Sequence, residues 1–177
     1  MILHLTYPQM LARWRVLKGL YPVLGSGSVS VTLPEETDAL LHVEIEKWYT
    51  DILATADPSL LAPTDISDLV ALSACDGGGG HIFSLPDGFS RLVSVRLNGW
   101  ECDARIIADP DSPAARRQRD PFTRATPSSP VAVLRPGGMV ALYPAVRFPD
   151  PLRITAVGRP DAMYHFDESL LPCLADS

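Results

Sequence analysis

The spacing of apolar residues predicts a helix near the start of the chain. Apolar side chains recur every three or four positions from residue 7 to residue 20, and Pro8 suits a first helical turn. Gly19 and Pro22 indicate that this helix ends near residue 20. Its predicted apolar positions are Met10, Leu11, Trp14, Leu17 and Leu20.

A second helix has the clearest start signal in the chain. Thr32 and Glu35 fit a capping box, with Pro34 between them. We expect this helix to end before Asp57-Pro58, because a residue that precedes proline is disfavoured in the α conformation. Its predicted apolar stripe consists of Leu41, Ile45, Trp48 and Ile52.

A third, shorter helix is predicted from Thr64 onward. Asp65 and Asp68 would complement the positive end of its dipole. Asp76 and the glycine run at 77–80 would end it and tether it to the following segment.

The apolar spacing changes from helical to alternating after residue 81. Residues 92–97 predict a strand with Val93, Val95 and Leu97 on one face. Asn98-Gly99 follows directly, and this dipeptide favours a tight hairpin because a type I′ turn needs positive φ at both central positions. The return strand of this first hairpin is therefore expected at 100–107, and a second hairpin is predicted at 131–143 around Pro136-Gly137-Gly138.

These elements predict an α+β fold. It comprises an N-terminal α-helical part of about three helices and an antiparallel β-sheet of two hairpins plus a further strand at 152–157. Residues 167–174 predict at most a short terminal helix. We expect one structural domain with a helical part at 1–80, a β-sheet part at 81–160 with a long arginine-rich loop at 109–129, and an acidic C-terminal tail at 161–177.

Composition excludes several classes of protein. With 46% hydrophobic and 20% charged residues, the chain can build a core and is not of the disordered type. No run approaches the roughly 18 apolar residues of a membrane span. The N-terminus lacks the pattern of a secretory signal, and the three cysteines form no CxxC pair. We therefore expect a protein that folds in a cytoplasm, with no membrane partner.

The formal net charge of −6 is unevenly distributed. Residues 1–85 carry four basic and ten acidic groups, and residues 161–177 carry four acidic groups and no basic one. Residues 86–160 carry eleven arginines against seven acidic groups. Segregated charge favours contacts between protein copies, whereas a nucleic-acid-binding domain is usually strongly basic as a whole.

Residues that could carry chemistry are present but do not cluster along the sequence. His42 and Glu46 share a face of the second helix, yet two ligands without a third do not complete a zinc site. No GxSxG motif is present, and Cys75 lacks the environment that activates a thiol. We expect no catalytic residue, no metal and no cofactor, and classify the chain as a non-enzyme.

The arginines of the 109–129 loop are the most unusual feature. Three interpretations remain open: a solvated loop, a contact with an acidic surface of a neighbouring protein, and a contact with the phosphate backbone of DNA. The acidic flanks favour a protein over DNA. The candidate subunit-interface residues are Arg116, Arg117, Arg119, Phe122, Arg124 and Trp100.

Several segments resemble one known family. The stretch SLPDGFSRLVSVRLNGW at 84–100 and the stretch DPFTRATP at 120–127 are similar to segments of the head-to-tail connector proteins of short-tailed phages, the neck-ring adaptors of the crAss-like group. PVAV at 130–133, WYTDIL at 48–53 and PTDI at 63–66 extend the resemblance to about two thirds of the chain. Gly88 replaces a usual Asp, and Ala125 replaces a usual Gly. The family pattern often ends in a longer apolar helical segment than residues 170–174 offer, so we expect the last contact surface to differ.

The resemblance implies a structural protein of the virion, present in the host cytoplasm before assembly. Such proteins form a ring, typically of twelve copies, that joins the portal protein to tail or neck proteins and lets DNA pass through its lumen. The alternatives are a small bacterial enzyme or peptide-binding module, with a pocket lined by His81, Cys75 or His42, and a DNA-contacting accessory protein.

Overall fold

A computed structural model describes residues 1–20, 35–74 and 79–172 of the chain. The chain divides into two compact units. Unit 1 comprises Met1–Ala62 and Arg159–Ser177, and unit 2 comprises Pro63–Gly158. Helices near the N-terminus and mainly antiparallel strands confirm the predicted α+β class. None of the helices in the described ranges is both long and apolar enough to cross a bilayer.

The helices and strands are numbered in chain order. The helices are α1 Tyr7–Leu17, α2 Glu35–Thr55 and α3 Pro113–Arg116. The strands are β1 Ile2–Leu5, β2 Thr64–Asp65, β3 Ser73–Ala74, β4 His81–Ser84, β5 Phe89–Leu97, β6 Arg105–Ile107, β7 Val131–Arg135, β8 Met139–Tyr143, β9 Pro151–Gly158 and β10 Tyr164–Asp167.

Unit 1 packs α1 and α2 with a two-stranded antiparallel sheet of β1 and β10. The predicted first helix is confirmed, with Met10 and Trp14 buried. Gln9 Oε1 accepts a hydrogen bond of 2.9 Å from the Thr6 amide at the start of α1. Strands β1 and β10 were not predicted, and β10 lies within the segment that the sequence indicated as an acidic tail.

The second predicted helix is confirmed as α2, but its buried face differs from the predicted stripe. Leu41 and Ile45 are buried as expected, followed by Tyr49 and Leu53 in place of Trp48 and Ile52. The four buried residues therefore follow each other at intervals of four. The predicted capping residues Thr32 and Pro34 lie outside the described residues.

The predicted third helix is wrong. Residues 64–74 form β2, a 3-10 turn at Ser67–Leu69 and β3. The Asp65 side chain accepts hydrogen bonds from the Ser67 amide and hydroxyl at 2.9 and 2.6 Å, which closes a turn. The Ile66 amide then donates to the Ile154 carbonyl of β9 at 2.7 Å. Pairing with a distant strand therefore outweighs the local helical pattern.

Unit 2 contains two sheets. One has three strands in the order β2-β9-β5, and the other has five in the order β3-β4-β8-β7-β6. The second predicted hairpin is confirmed as the antiparallel pair β7 and β8, and the strand predicted at 152–157 is confirmed within β9.

The first predicted hairpin is wrong. Asn98-Gly99 does form a turn, and Gly99 has φ +97°. Strand β5, however, pairs antiparallel with β9, while β6 pairs parallel with β7. Pairing with β9 extends along the whole of β5, whereas β6 has only three residues. Strand β5 therefore pairs with β9, which is longer than β6, and the Asn98-Gly99 turn only changes the direction of the chain.

A register irregularity also changes which face of β5 is buried. The register with β9 shifts between Leu92 and Ser94. Leu92 is consequently buried together with Val95 and Leu97, and Val93 is only partly buried. An extra residue in one strand turns the preceding side chains to the opposite face, which simple alternation cannot predict.

Candidate functional site

The predicted long loop is an ordered segment of unit 2, called here the arginine segment (109–129). It contains α3 and a 3-10 turn at Arg117–Arg119. The Ser112 hydroxyl accepts a hydrogen bond from the Ala115 amide at 3.3 Å and so caps α3. The Asp109 carboxylate accepts another of 2.8 Å from the Asp111 amide. The arginines are therefore carried by a defined backbone.

Gln118 anchors the segment from inside. Its side chain is 7% exposed. Its Nε2 donates to the Ala114 carbonyl at 2.9 Å, and its Oε1 accepts from the Ala125 amide at 2.8 Å. One buried side-chain amide thus joins both halves of the segment, and each of its two hydrogen bonds contributes about 0.5–1.5 kcal/mol to stability.

An apolar cluster attaches the same segment to β7 and β8. Ala115 is buried in it, and Ala125 packs against it from the far end of the segment. The segment therefore covers one face of the five-stranded sheet. The other members of the cluster are Ile107, Val131, Val133, Ala141 and Tyr143.

Four arginines of the segment lack a carboxylate partner within the described residues. Arg116, Arg117 and Arg119 are exposed, and Arg124 is partly buried. Each ion pair observed in the described ranges involves other cations. These guanidinium groups therefore retain their capacity to bind an anionic group from outside the chain.

Phe122 lies beside these arginines and is 95% exposed. The Asp120 side chain accepts a hydrogen bond of 2.9 Å from the Phe122 amide, and the Asp120 carbonyl accepts one of 3.0 Å from the Arg124 amide. This turn places the ring in solvent. An exposed aromatic ring next to arginines is typical of residues that dominate protein–protein contacts.

Arg124 lies close to Gly79. A Cβ atom at position 79 would be 2.8 Å from Arg124 Nη1, so a larger residue there would displace the guanidinium group. The absence of a side chain at this position therefore leaves room for the Arg124 guanidinium group.

A cavity of about 250 Å³ opens in this surface. No carboxylate is among its lining residues, all of which are described. Three arginines and three residues with hydroxyl side chains are among them. The lining residues are Arg105, Ala114, Arg117, Gln118, Thr123, Arg124, Ala125, Thr126, Ser129 and Val131.

Trp100 does not belong to this surface. It is 4% exposed and is part of the larger core cluster of unit 2. Its indole Nε1 donates to the Pro144 carbonyl at 3.2 Å. Its burial corrects the prediction of Trp100 as an interface residue, because no partner can reach it in the folded chain.

The histidines considered as pocket residues have structural roles. His81 is buried, and its Nε2 lies 3.0 Å from the Val146 amide nitrogen. His42 contacts the ring of Tyr7 edge-on, with the centroids 4.9 Å apart. Cys75 lies outside the described residues.

Sequence reasoning missed a polar network in unit 1. Glu46 Oε1 accepts hydrogen bonds from Tyr164 Oη at 2.5 Å and from Arg159 Nη1 at 2.7 Å. Burial alone would raise the pKa of the Glu46 carboxyl, but these two donors lower it overall. More than a hundred residues separate Glu46 from its partners, so no local pattern could have indicated the network.

No protein-family model matches this chain, and no curated protein matches its sequence. The function of the arginine segment is therefore inferred from its residues and contacts.

Proposed function

We propose that this chain is a structural protein of a tailed-phage virion that forms a ring in the head-to-tail connector. The observation that carries the proposal is the ordered arginine segment, whose exposed guanidinium groups have no carboxylate partner in the described residues and which presents Phe122 to solvent. A surface of this kind suits contact with an acidic face of a neighbouring protein.

A ring requires two different faces of each copy to meet, and the distribution of charge supplies two candidates. Unit 1 has five basic and eleven acidic residues by sequence, whereas unit 2 has ten of each. In the described part of unit 1, several carboxylates are already paired, such as Asp38 with Arg15 and Glu44 with Lys18. Asp51 on α2 is exposed and is absent from these ion pairs, so it is a candidate partner for an arginine of the next copy.

The test is a double charge reversal, Arg117→Glu with Arg119→Glu. We expect the wild-type chain to form a large closed oligomer and the double variant to stay monomeric, because both reversed side chains would repel an acidic neighbour. Both positions are exposed, so the fold should be retained. Size-exclusion chromatography with light scattering measures the oligomer, and circular dichroism measures the fold.

The matched control is Arg147→Glu with Arg153→Glu, which changes the net charge equally at exposed positions of unit 2 outside the arginine segment. We expect this control to assemble normally. Normal rings from the Arg117/Arg119 variant, or a wild-type chain that stays monomeric at every concentration, would contradict the proposal. Binding to DNA that weakens steeply with salt, and is lost in the same variant, would instead favour a DNA-contacting protein.

A further inference from the structure

Two histidines hydrogen-bond to each other across the small sheet of unit 1. His4 on β1 and His165 on β10 are directly paired in the register of the two strands. Their Nδ1 atoms are 2.7 Å apart. In such a bond one nitrogen carries the proton and the other offers its lone pair, because a ring nitrogen either donates or accepts. The bond therefore exists only while at least one of the two Nδ1 atoms is unprotonated.

Asp161 indicates where the other proton of His165 lies. The two carboxylate oxygens of Asp161 lie 2.9 and 3.0 Å from His165 Nε2, and the Met163 amide donates to Asp161 Oδ1 at 3.0 Å. Because a carboxylate accepts hydrogen bonds, Nε2 of His165 is protonated. One added proton keeps the bond between the two rings, since a charged histidine can still donate from Nδ1 to a neutral one.

A second added proton would break this bond between the rings. Both Nδ1 atoms would then carry hydrogen, so two donors and two positive charges would face each other at the observed distance. The paired histidines therefore bind one proton fewer than two separated histidines can. By linkage, acid favours any state in which His4 and His165 have separated.

The carboxylates near the pair are already ionised where histidine titrates. The hydrogen bond from His165 holds the pKa of Asp161 below its usual range, and the Met1 amine at 2.6 Å does the same for the pKa of Asp167. Histidine changes its charge between about pH 5 and 8, so the charge of the pair itself is what changes there. Other titratable or charged groups on the neighbouring elements are Tyr49, whose hydroxyl bonds the His165 backbone, the Arg13–Glu168 and Glu46–Arg159 ion pairs, and His42.

We propose that His4 and His165 form an acid-sensitive switch that releases β1 from β10. Strand β10 stays in place, because the Tyr49 hydroxyl accepts a hydrogen bond from the His165 amide at 3.1 Å and donates one to its carbonyl at 3.4 Å. Strand β1 has β10 as its one strand partner in the described part of the chain. Release of β1 would expose Leu3 and Leu5, which are buried in the closed sheet.

The test is amide hydrogen exchange of the full chain at pH 7, 6 and 5, followed by mass spectrometry of the peptide that contains β1. Each rate is divided by the intrinsic exchange rate at the same pH. The released state binds one more proton, so its population should rise by up to about tenfold for each pH unit. We therefore expect the protection of β1 to fall by about tenfold or more between pH 7 and pH 5, while the protection of α2 changes little.

His4→Gln should remove this pH dependence, because the Gln amide can donate to or accept from His165 Nδ1 and takes up no proton. His165→Gln tests the same bond from the other strand, and circular dichroism confirms that each variant is folded. The matched control is His42→Gln, an exposed histidine of the same unit that contacts Tyr7 rather than the pair. This control should keep the pH dependence of the wild type.

A protection of β1 that stays constant between pH 7 and pH 5 in the wild type would overturn the proposal. The same loss of protection in the wild-type, His4→Gln and His165→Gln chains would overturn it too, since another group would then be responsible. A loss of equal size in α2 would show that unit 1 unfolds as a whole, which contradicts the release of β1 alone. The proposal does not depend on ring formation, because its residues lie in unit 1 and the arginine segment lies in unit 2.

Discussion

Gln118 provides a direct test of how the arginine segment is held in place. Replacing it with Ala removes the bond from Nε2 to the Ala114 carbonyl and the bond from the Ala125 amide to Oε1. Each hydrogen bond contributes about 1 kcal/mol of stability, so the variant should lose about 2 kcal/mol, provided that water reaches the backbone groups that the side chain leaves unbonded. The loss should be local, because both bonds lie within the segment.

Amide hydrogen exchange measures this local loss. A change of about 2 kcal/mol corresponds to roughly a 30-fold faster exchange where the segment opens. We expect this increase at the Ala125 amide and a much smaller one in the strands beneath. The control is Arg116→Ala, at an exposed position where substitutions usually change stability by less than about 0.5 kcal/mol.

An Ala125 amide that exchanges equally fast in the Gln118→Ala and Arg116→Ala variants would refute the anchoring role. In that case the apolar cluster, in which Ala115 is buried against β7 and β8, would hold the segment alone. If the anchoring role is correct, Gln118→Ala should also weaken ring formation, because the arginines of the arginine segment would no longer have fixed positions.

Two further predictions concern the stability of the two units. Gly158→Ala should destabilise unit 2 by about 3 kcal/mol in urea unfolding, because its Cβ would be 2.2 Å from the Gly88 carbonyl oxygen. Gly137→Ala has open space around it but a φ of +75°, so it should cost only about 1 kcal/mol of backbone strain. Equal losses of stability in the two variants would contradict this prediction. The pKa of the Glu46 carboxyl is lower in the folded chain than in the unfolded chain, so unit 1 should lose stability as the pH falls below about 4.3. Glu46→Gln should reduce that dependence in thermal melts followed by tryptophan fluorescence; an unchanged pH profile would contradict the role of the network.

Local patterns predicted the elements whose partners are close in sequence. The hairpin of β7 and β8 could be predicted because its turn and both strands lie within thirteen consecutive residues. Helix α1 could be predicted because its buried residues, Met10 and Trp14, repeat at helical spacing. The arginines of the candidate site were found by composition, since surface charge depends little on the fold.

The rest of the site depended on contacts that sequence patterns do not encode. Gln118 was not recognised because its partners, Ala114 and Ala125, offer only backbone groups. Trp100 was assigned to the surface although the fold places it in the core. The pairing of His4 with His165 spans 161 residues and depends on the register of two strands that were not predicted.

The sequence by itself determined the α+β class, the N-terminal helices, the second hairpin and the basic character of the 109–129 segment. These depend on local spacing, turn residues and charge. Only the tertiary structure decided that β5 pairs with β9 and that residues 64–74 are not helical. The physical reason is that local propensities differ by about 1 kcal/mol or less per residue. The free energy gained by pairing a strand along its whole length and burying it in the core outweighs these differences.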